Sequence, residues 1–254
     1  MGGALASALQ AREDVRVIGT TRHAESGRAA ARRLGIDVFA DNVALARASD
    51  VVVLCVKPHQ ARAVVEEIAP ELDGKLVITI CASVTIGDVR AWSGGRAAVI
   101  RAMPNTPCVI RAGMTVLSGD EATEGAQLET AANLFAPLGR TAILDESLMD
   151  GVTGLSGCGP AYVFLIIEAL SEAGVKLGID RATSTLLAAQ TLLGAATLVL
   201  ERGVHPAALK DEVTTPAGCT IDGLMVLEDG RLRSTLIAGV VAAARRSRTL
   251  REGA

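Results

Sequence analysis

The sequence predicts a doubly wound α/β domain followed by an all-α domain, and two observations carry that expectation. From residue 15 to about residue 145, short continuous apolar runs rich in β-branched residues alternate with stretches whose apolar residues recur at helical spacing. Beyond 145 the strand-like runs stop and only helical spacing remains. Continuous apolar strands separated by amphipathic helices describe a parallel sheet covered on both faces. The division is placed between residues 147 and 148.

The chain opens MGGALASALQ, a short apolar helix with two glycines at its head and no strand before it. Strands are then expected at 15–20 (VRVIGT), 36–39 (IDVF), 51–56 (VVVLCV), 76–81 (LVITIC), 97–102 (AAVIRA), 113–119 (GMTVLSG) and 140–145 (RTAILD). Between them the helical spacing falls at 24–34, 43–48, 60–68 and 123–138. Further helices follow at 160–176, 181–201, 206–213, 220–227 and 232–250. Their polar faces are thin, with Ala and Leu all round the second, so more than one side of each has to be covered. Self-association is the natural reading, and a large monomeric bundle is the alternative.

Composition excludes several functions. Half of the residues are hydrophobic but only 2% are aromatic, so the core is built from Ala, Val, Leu and Ile, which favours closely packed helices. The formal charge of -3 comes without a basic stripe or stacking aromatics, so no nucleic-acid partner is expected. Five cysteines without C-x-x-C or metal spacing fit a reducing compartment, read as the cytoplasm, and no metal site. The opening has no basic region of the kind that begins a signal peptide. The apolar run 185–200 falls short of the roughly 20 residues that a bilayer requires, so no membrane span is expected.

In an open parallel sheet, ligands lie outside the carboxyl ends of the strands. The first expected strand is followed by Thr21, Arg22 and His23, with no acid to hold a ribose 2′-hydroxyl. Arg22 and Thr21 could receive a 2′-phosphate, which favours NADP over NAD, unless Arg22 is an ordinary solvated side chain. Other strand ends carry Lys57-Pro58-His59, Ala82-Ser83 and Met103-Pro104-Asn105-Thr106-Pro107. The last, with two rigid φ angles, can hold backbone groups and the Asn105 amide still against a flat ring, or can be a loop that merely needs proline. Lys57 reads as a binding residue in preference to a proton donor. A dinucleotide fold also needs a first strand and a G-x-G-x-x-G turn that presents backbone N–H groups to the pyrophosphate. Only the end of that turn is present, with Gly2 as the third glycine, and a true start about a dozen residues upstream is expected. The upstream nucleotide sequence tests this. The first domain is therefore Rossmann-like.

Two glycine-proline clusters mark the helical part. Residues 155–160 (LSGCGP) precede a long apolar helix, with Pro160 suited to its first turn. Residues 213–220 (VTTPAGCT) also run into a helix, where unpartnered N–H groups, a positive helix end and two hydroxyls make a carboxylate site. Thr220 is placed either to cap its own helix or to offer its hydroxyl to a ligand.

Taken together, the VKP and MPNTP turns, TGLSGCGPAY (153–162) and HPAALKDEVTTPAGCTIDGL (205–224) resemble pyrroline-5-carboxylate reductases in order and spacing. The resemblance implies hydride transfer from NADPH, with NADH as an alternative donor, to the C=N bond of 1-pyrroline-5-carboxylate, giving L-proline. It implies that the nicotinamide lies near Met103, Pro104 and Asn105, and that Asn42, Cys55, Val56, Lys57, Pro58, Cys81, Ala82 and Ser83 line the cofactor. It implies that Thr215 and the backbone of Gly218 and Cys219 hold the substrate carboxylate, with Thr220 as the catalytic residue at the ring nitrogen. A homodimer of intertwined helical domains, and rings such as decamers, are implied as well. The domains become a dinucleotide-binding domain (1–147) and a helical substrate-binding and oligomerisation domain (148–254). Cys158, Ala217 and Cys219 depart from the family's usual Ser, Gly and Thr or Ala. Ala217 matters if its position needs positive φ. Reduction of a protonated imine requires orientation and charge complementarity more than a strong base, so no catalytic His, Cys or metal is called for. Two rival readings stand beside this one. An oxidoreductase for a hydroxy acid or another imine would need a proton-transfer group such as Lys176 or Lys210. A noncatalytic oligomeric remnant would lack a complete cofactor site.

Overall fold

The computed structural model describes residues 1–252. Its contacts divide the chain into two compact units, Met1–Cys158 with Ala242–Ala254, and Gly159–Val241. The division falls later than 147/148 because residues 149–157 pack on the sheet of the first unit, where Met149 and Val152 join Val116 in one buried cluster.

In the first unit, helix α1 (Gly2–Leu9) is followed by β1 (Ile18–Thr20), α2 (Ala24–Leu34), β2 (Asp37–Phe39), α3 (Asn42–Arg47), β3 (Val51–Leu54), α4 (Pro58–Ile68), β4 (Leu76–Thr79), α5 (Ile86–Ser93) and β5 (Ala98–Pro104). Then come β6 (Gly113–Ser118), α6 (Gly125–Phe135), β7 (Gly139–Ile143) and the short α7 (Met149–Val152). The strands are shorter than expected: at 15–20 the ladder begins only at Ile18, and at 51–56 and 76–81 it ends at Leu54 and Thr79, after which the chain turns. Helix α5 lies where the sequence reading had none; its Thr85 accepts from Asp88 N–H, and the Asp88 carboxylate accepts from Thr85 N–H in return.

Strands β3, β4 and β5 are parallel, with Leu54, Thr79 and Arg101 in register. Strand β6 is antiparallel to β5, and β7 is parallel to β6, so the sheet is mixed where an all-parallel one was expected. Connection length explains the reversal. Residues 105–112 are fewer than the dozen or so that a parallel crossover needs, whereas the segment carrying α6 is long enough. All four residues of β4 are buried, as a central strand covered on both faces requires. One face packs Val52, Leu54, Val77 and Val99 against α4 and α5; the other packs Ile78, Ile100 and Leu117 against α1 and α6. Strands β1 and β2 pair only with each other. Among the described residues no strand lies between β1 and β3, where a doubly wound order would place one.

The second unit contains α8 (Gly159–Lys176), α9 (Arg181–Arg202), α10 (Pro206–Glu212), α11 (Cys219–Asp229) and the first part of α12 (Leu232–Glu252), up to Val241. Asp180 caps α9 through Thr183 N–H at 3.0 Å, and His205 Nδ1 caps α10 through Ala207 N–H at 3.2 Å. The helix expected at 206–213 therefore opens on His205-Pro206. The α8–α9 seam is made of small and hydroxylated residues. Ser171 and Thr185 hydroxyls meet at 2.8 Å, and Gly174 lies against Ser184. The large apolar residues point elsewhere: Phe164 is 64% exposed and Leu186 66%. Two helical stretches, Glu146–Lys176 and Arg181–Arg202, are long and apolar enough to cross a membrane. The run 185–200 looked too short because its helix extends past it at both ends.

Candidate active site

The parallel register brings the turns after β3, β4 and β5 to one edge of the sheet, the edge where ligands of open α/β sheets bind. At that edge lie Cys55, Val56, Lys57 and Pro58; Cys81, Ala82 and Ser83; and Met103, Pro104 and Asn105. Pro58 is the first residue of α4, where its missing N–H costs nothing. Lys57 is exposed, and its ammonium has no partner among the described residues. Ser83, half-buried in the turn after β4, has φ +65, a left-handed backbone for a residue with a side chain. Such conformations persist where the surroundings over-determine them, and they cluster at ligand-binding turns.

Gly2 lies at the head of α1, against the end of β3. A side chain there would put a β-carbon 2.9 Å from Cys55 Cβ, so only glycine lets α1 approach the end of β3 this closely. Crowding by protein atoms pushes the Cys55 thiol up to about 11, with the nearby Cys81 adding to the shift, although one side of the residue is open to solvent. Burial also pushes Cys81 up. Both are thiols at neutral pH, which suits a wall of the site and no nucleophilic role.

After β1, the Thr21 hydroxyl donates to His23 O at 3.0 Å, while Arg22 is exposed and its guanidinium has no partner among the described residues. Arg22 is thus free for a phosphate, and Thr21 is a brace of the loop. Asn42 is a brace as well. Its Oδ1 accepts from Thr20 Oγ1 at 2.7 Å and its Nδ2 donates to Glu67 at 2.8 Å, tying β1 to α4. Asn105 is held in the same way: Nδ2 donates to Ser156 O at 3.1 Å, and Oδ1 accepts from Met114 N–H at 2.9 Å.

Two contributors went unnoticed in the sequence. Arg101, buried in β5, pairs with Glu146 at 3.3 Å, and the same carboxylate oxygen accepts from Ile86 N–H at 2.9 Å. This clamps the start of α5, just past the Ala82-Ser83 turn. A basic residue inside the apolar run AAVIRA was the available signal, since a buried charge demands a partner. The second is the conformation of Thr153–Gly157: the sequence marked 155–160 only as a glycine-proline cluster ahead of a helix, and residues 153–157 form one turn of π-helix. Such turns are frequent at functional sites.

In the second unit, Gly218 N–H donates to Thr215 O at 3.0 Å, closing a turn with Pro216 and Ala217 at its centre. Ala217 has φ +56, so the position does need the left-handed backbone that the family's usual glycine supplies. Gly218 is the N-cap of α11 and offers no side-chain cap. Thr220, in the first turn, is therefore not the cap, and its hydroxyl has no partner among the described residues. Of the two expected backbone donors, Gly218 N–H is engaged in the turn while Cys219 N–H opens the uncapped helix end. Thr215 and Cys219 are exposed beside it, and a side chain at Gly218 would run into the Thr215 hydroxyl. An uncapped helix start with adjacent hydroxyls suits a carboxylate.

A Rossmann-like domain followed by an all-helical domain is the architecture of a nicotinamide-dependent oxidoreductase. The comparisons specify it. Residues 146–250 match the family model described as pyrroline-5-carboxylate reductase dimerisation, and residues 1–83 match NADP oxidoreductase coenzyme F420-dependent. The pyrroline-5-carboxylate reductase of Arabidopsis thaliana is 45% identical over 220 residues, 85% of this chain and 78% of that protein. Among solved structures, the Coxiella burnetii pyrroline-5-carboxylate reductase superposes with a TM-score of 0.92 at 36% identity, covering 98% of this chain and 94% of that one. The Plasmodium falciparum pyrroline carboxylate reductase, solved with NADP bound, gives 0.86 at 31% identity, covering 98% and 94%. The chain belongs to the pyrroline-5-carboxylate reductase family.

Proposed function

We propose that the protein reduces 1-pyrroline-5-carboxylate to L-proline, the last step of proline biosynthesis, with NADPH as the preferred donor. The observation that carries this reading is the uncapped start of α11 with an unpartnered Thr220 hydroxyl, in a chain of this family. When bound, the reduced nicotinamide supplies hydride to the imine carbon. Arg22 binds the 2′-phosphate, Gly2 lets α1 pack close to the sheet beside the cofactor, and the Cys55–Pro58 and Cys81–Ser83 turns with Met103–Asn105 at the end of β5 shape the cofactor groove. Thr215, the Cys219 amide and the positive end of α11 hold the substrate carboxylate. Thr220 hydrogen-bonds the ring nitrogen, fixing the protonated imine so that hydride addition leaves a neutral secondary amine.

Thr220→Ala tests the assignment. The expected result is a 10- to 100-fold loss of kcat/KM for pyrroline-5-carboxylate, with NADPH affinity and assembly unchanged. Unaltered steady-state kinetics would remove Thr220 from the site.

The wider context follows from the same reading: a cytoplasmic enzyme without a membrane partner, assembled as a homodimer and, in its larger form, as a decameric ring. Light scattering of the purified protein in detergent-free buffer reads the assembly. An NADPH titration tests the cofactor part of this reading, and an absence of saturable binding would overturn it.

A further inference from the structure

The end of β5, which carries Met103, and Asn105 just after it are held by a segment that the reaction itself does not use. Residues 153–157 form one π turn, closed by Cys158 N–H donating to Thr153 O at 2.8 Å. The wider winding takes backbone carbonyls out of the regular helical ladder, and the Ser156 carbonyl accepts from Asn105 Nδ2 at 3.1 Å. One residue on, Gly157 lies beneath Met103. A β-carbon at 157 would be 2.8 Å from the Met103 methyl, whereas ordinary contact begins at 3.4 Å. The rest of the Met103 side chain packs against Val116, Met149 and Val152. A substituent at 157 therefore has to displace the thioether, the flexible partner of the pair, by roughly half an ångström or more.

We propose that the π turn Thr153–Gly157 positions the nicotinamide-facing surface: the bare α-carbon of Gly157 sets where the Met103 side chain lies, and the Ser156 carbonyl sets the plane of the Asn105 amide. This rests on the reductase reading above, because the Met103–Asn105 turn has a partner only if a nicotinamide docks there. Gly157, Ser156 and Met103 are positioning residues; none of them exchanges a proton or hydride.

The test is a cycle in the full chain: wild type, Gly157→Ala, Met103→Ala and the double variant. Gly157→Ala is expected to lower kcat for pyrroline-5-carboxylate about 10- to 100-fold, the scale of a sub-ångström to 1 Å misplacement, while the NADPH dissociation constant moves less than about threefold. In the Met103→Ala background, where there is no methyl to displace, the same substitution should cost less than about threefold. Methyl-labelled methionine NMR gives a readout independent of turnover: the Met103 methyl resonance shifts in Gly157→Ala while that of Met225 stays in place. An equal loss of kcat in both backgrounds, no loss in either, or an unmoved Met103 resonance overturns the inference. If the Met103 resonance moves and the wild type does not turn over pyrroline-5-carboxylate, the reductase reading fails and the packing inference stands. If Gly157→Ala alone does not fold, a folded double variant supports the inference, and an unfolded one overturns it.

Discussion

The two compact units treat their large apolar side chains in opposite ways. In Met1–Cys158 the chain covers its own core: every residue of β4 is buried, and Ile68, Leu72, Ile78, Ile100 and Phe135 are less than 2% exposed. In Gly159–Val241 the best-covered positions are small, Ser171, Ser184 and Ala188, while Phe164, Leu165, Leu186 and Leu193 are more than 60% exposed. Burying one such side chain stabilises by about 1.5–3 kcal/mol, so a helical unit that leaves its leucines outside forgoes most of its core when alone. The lesson is that the first unit's fold is encoded within one chain, whereas the second unit's core is encoded for an interface. An outward apolar surface also suits lipid, and the lengths of two helical stretches allow that. The dimerisation match over 146–250 favours a second copy.

The sharpest way to break this comparison is to charge the bare surface. Leu186→Glu with Leu193→Glu places two carboxylates on exposed positions of α9, where an isolated chain should tolerate them. The expected outcome is loss of assembly, with a dissociation constant raised at least 100-fold, which corresponds to about 2.7 kcal/mol or more. Light scattering and sedimentation read it. A variant that keeps the wild-type mass would place the interface elsewhere, and a wild type that stays soluble only in detergent would favour lipid.

The next effect belongs to the first unit. Arg101 is 4% exposed along its side chain and pairs with the partly buried Glu146, which also receives Ile86 N–H. Removing one partner of a buried pair typically costs about 3–5 kcal/mol, because the other charge is left unpaired; the 27% exposure of Glu146 argues for the lower end. Arg101→Met should therefore lower the unfolding free energy of the first unit by roughly 3 kcal/mol, measured by chemical unfolding followed at Trp92 on α5. Arg101→Met combined with Glu146→Gln should recover part of it. If the double variant is as unstable as the sum of the two singles, the pair is not the clamp described.

Much of this division was legible in the sequence, for reasons that also explain what was not. Apolar runs such as VVVLCV and LVITIC reveal strands because a strand buried on both faces has no polar positions. Their carboxyl ends were overextended, since Cys55 and Cys81 look like strand residues yet sit in the turns of the site. Helix α5 went unnoticed because IGDVRAWS is short and carries a glycine, although Thr85 and Asp88 form a readable cap. The antiparallel β6 could have been inferred from the short connection 105–112. In the helical unit the thin polar faces announced an interface correctly. The glycine-rich stretch 153–157 reads as a loop by composition, and only packing against Met103 and Asn105 shows why it is a helical turn. Asn42 and Asn105 illustrate a further limit: their type and place marked them for the site, but the bonds that occupy their amides are tertiary.

The smallest effect sharpens the comparison most, because each unit carries the same local strain in one turn. Ser83 at φ +65 and Ala217 at φ +56 are residues with side chains in the left-handed region, which costs roughly 1–2 kcal/mol relative to glycine in the folded state. Glycine gives back about 0.4–1 kcal/mol of that through the greater freedom of the unfolded chain. Ala217→Gly and Ser83→Gly are thus each expected to raise stability by less than about 1 kcal/mol, a shift of roughly 2–4 °C in Tm for a chain of this size. In the first unit the gain should appear whatever the protein concentration, since that unit's core is its own. In the second, the gain from Ala217→Gly should ride on a Tm that itself rises with protein concentration, because folding there is coupled to association. A Tm independent of concentration for both variants would mean that the helical unit holds itself together, and the contrast between the two units would then be one of surface composition alone.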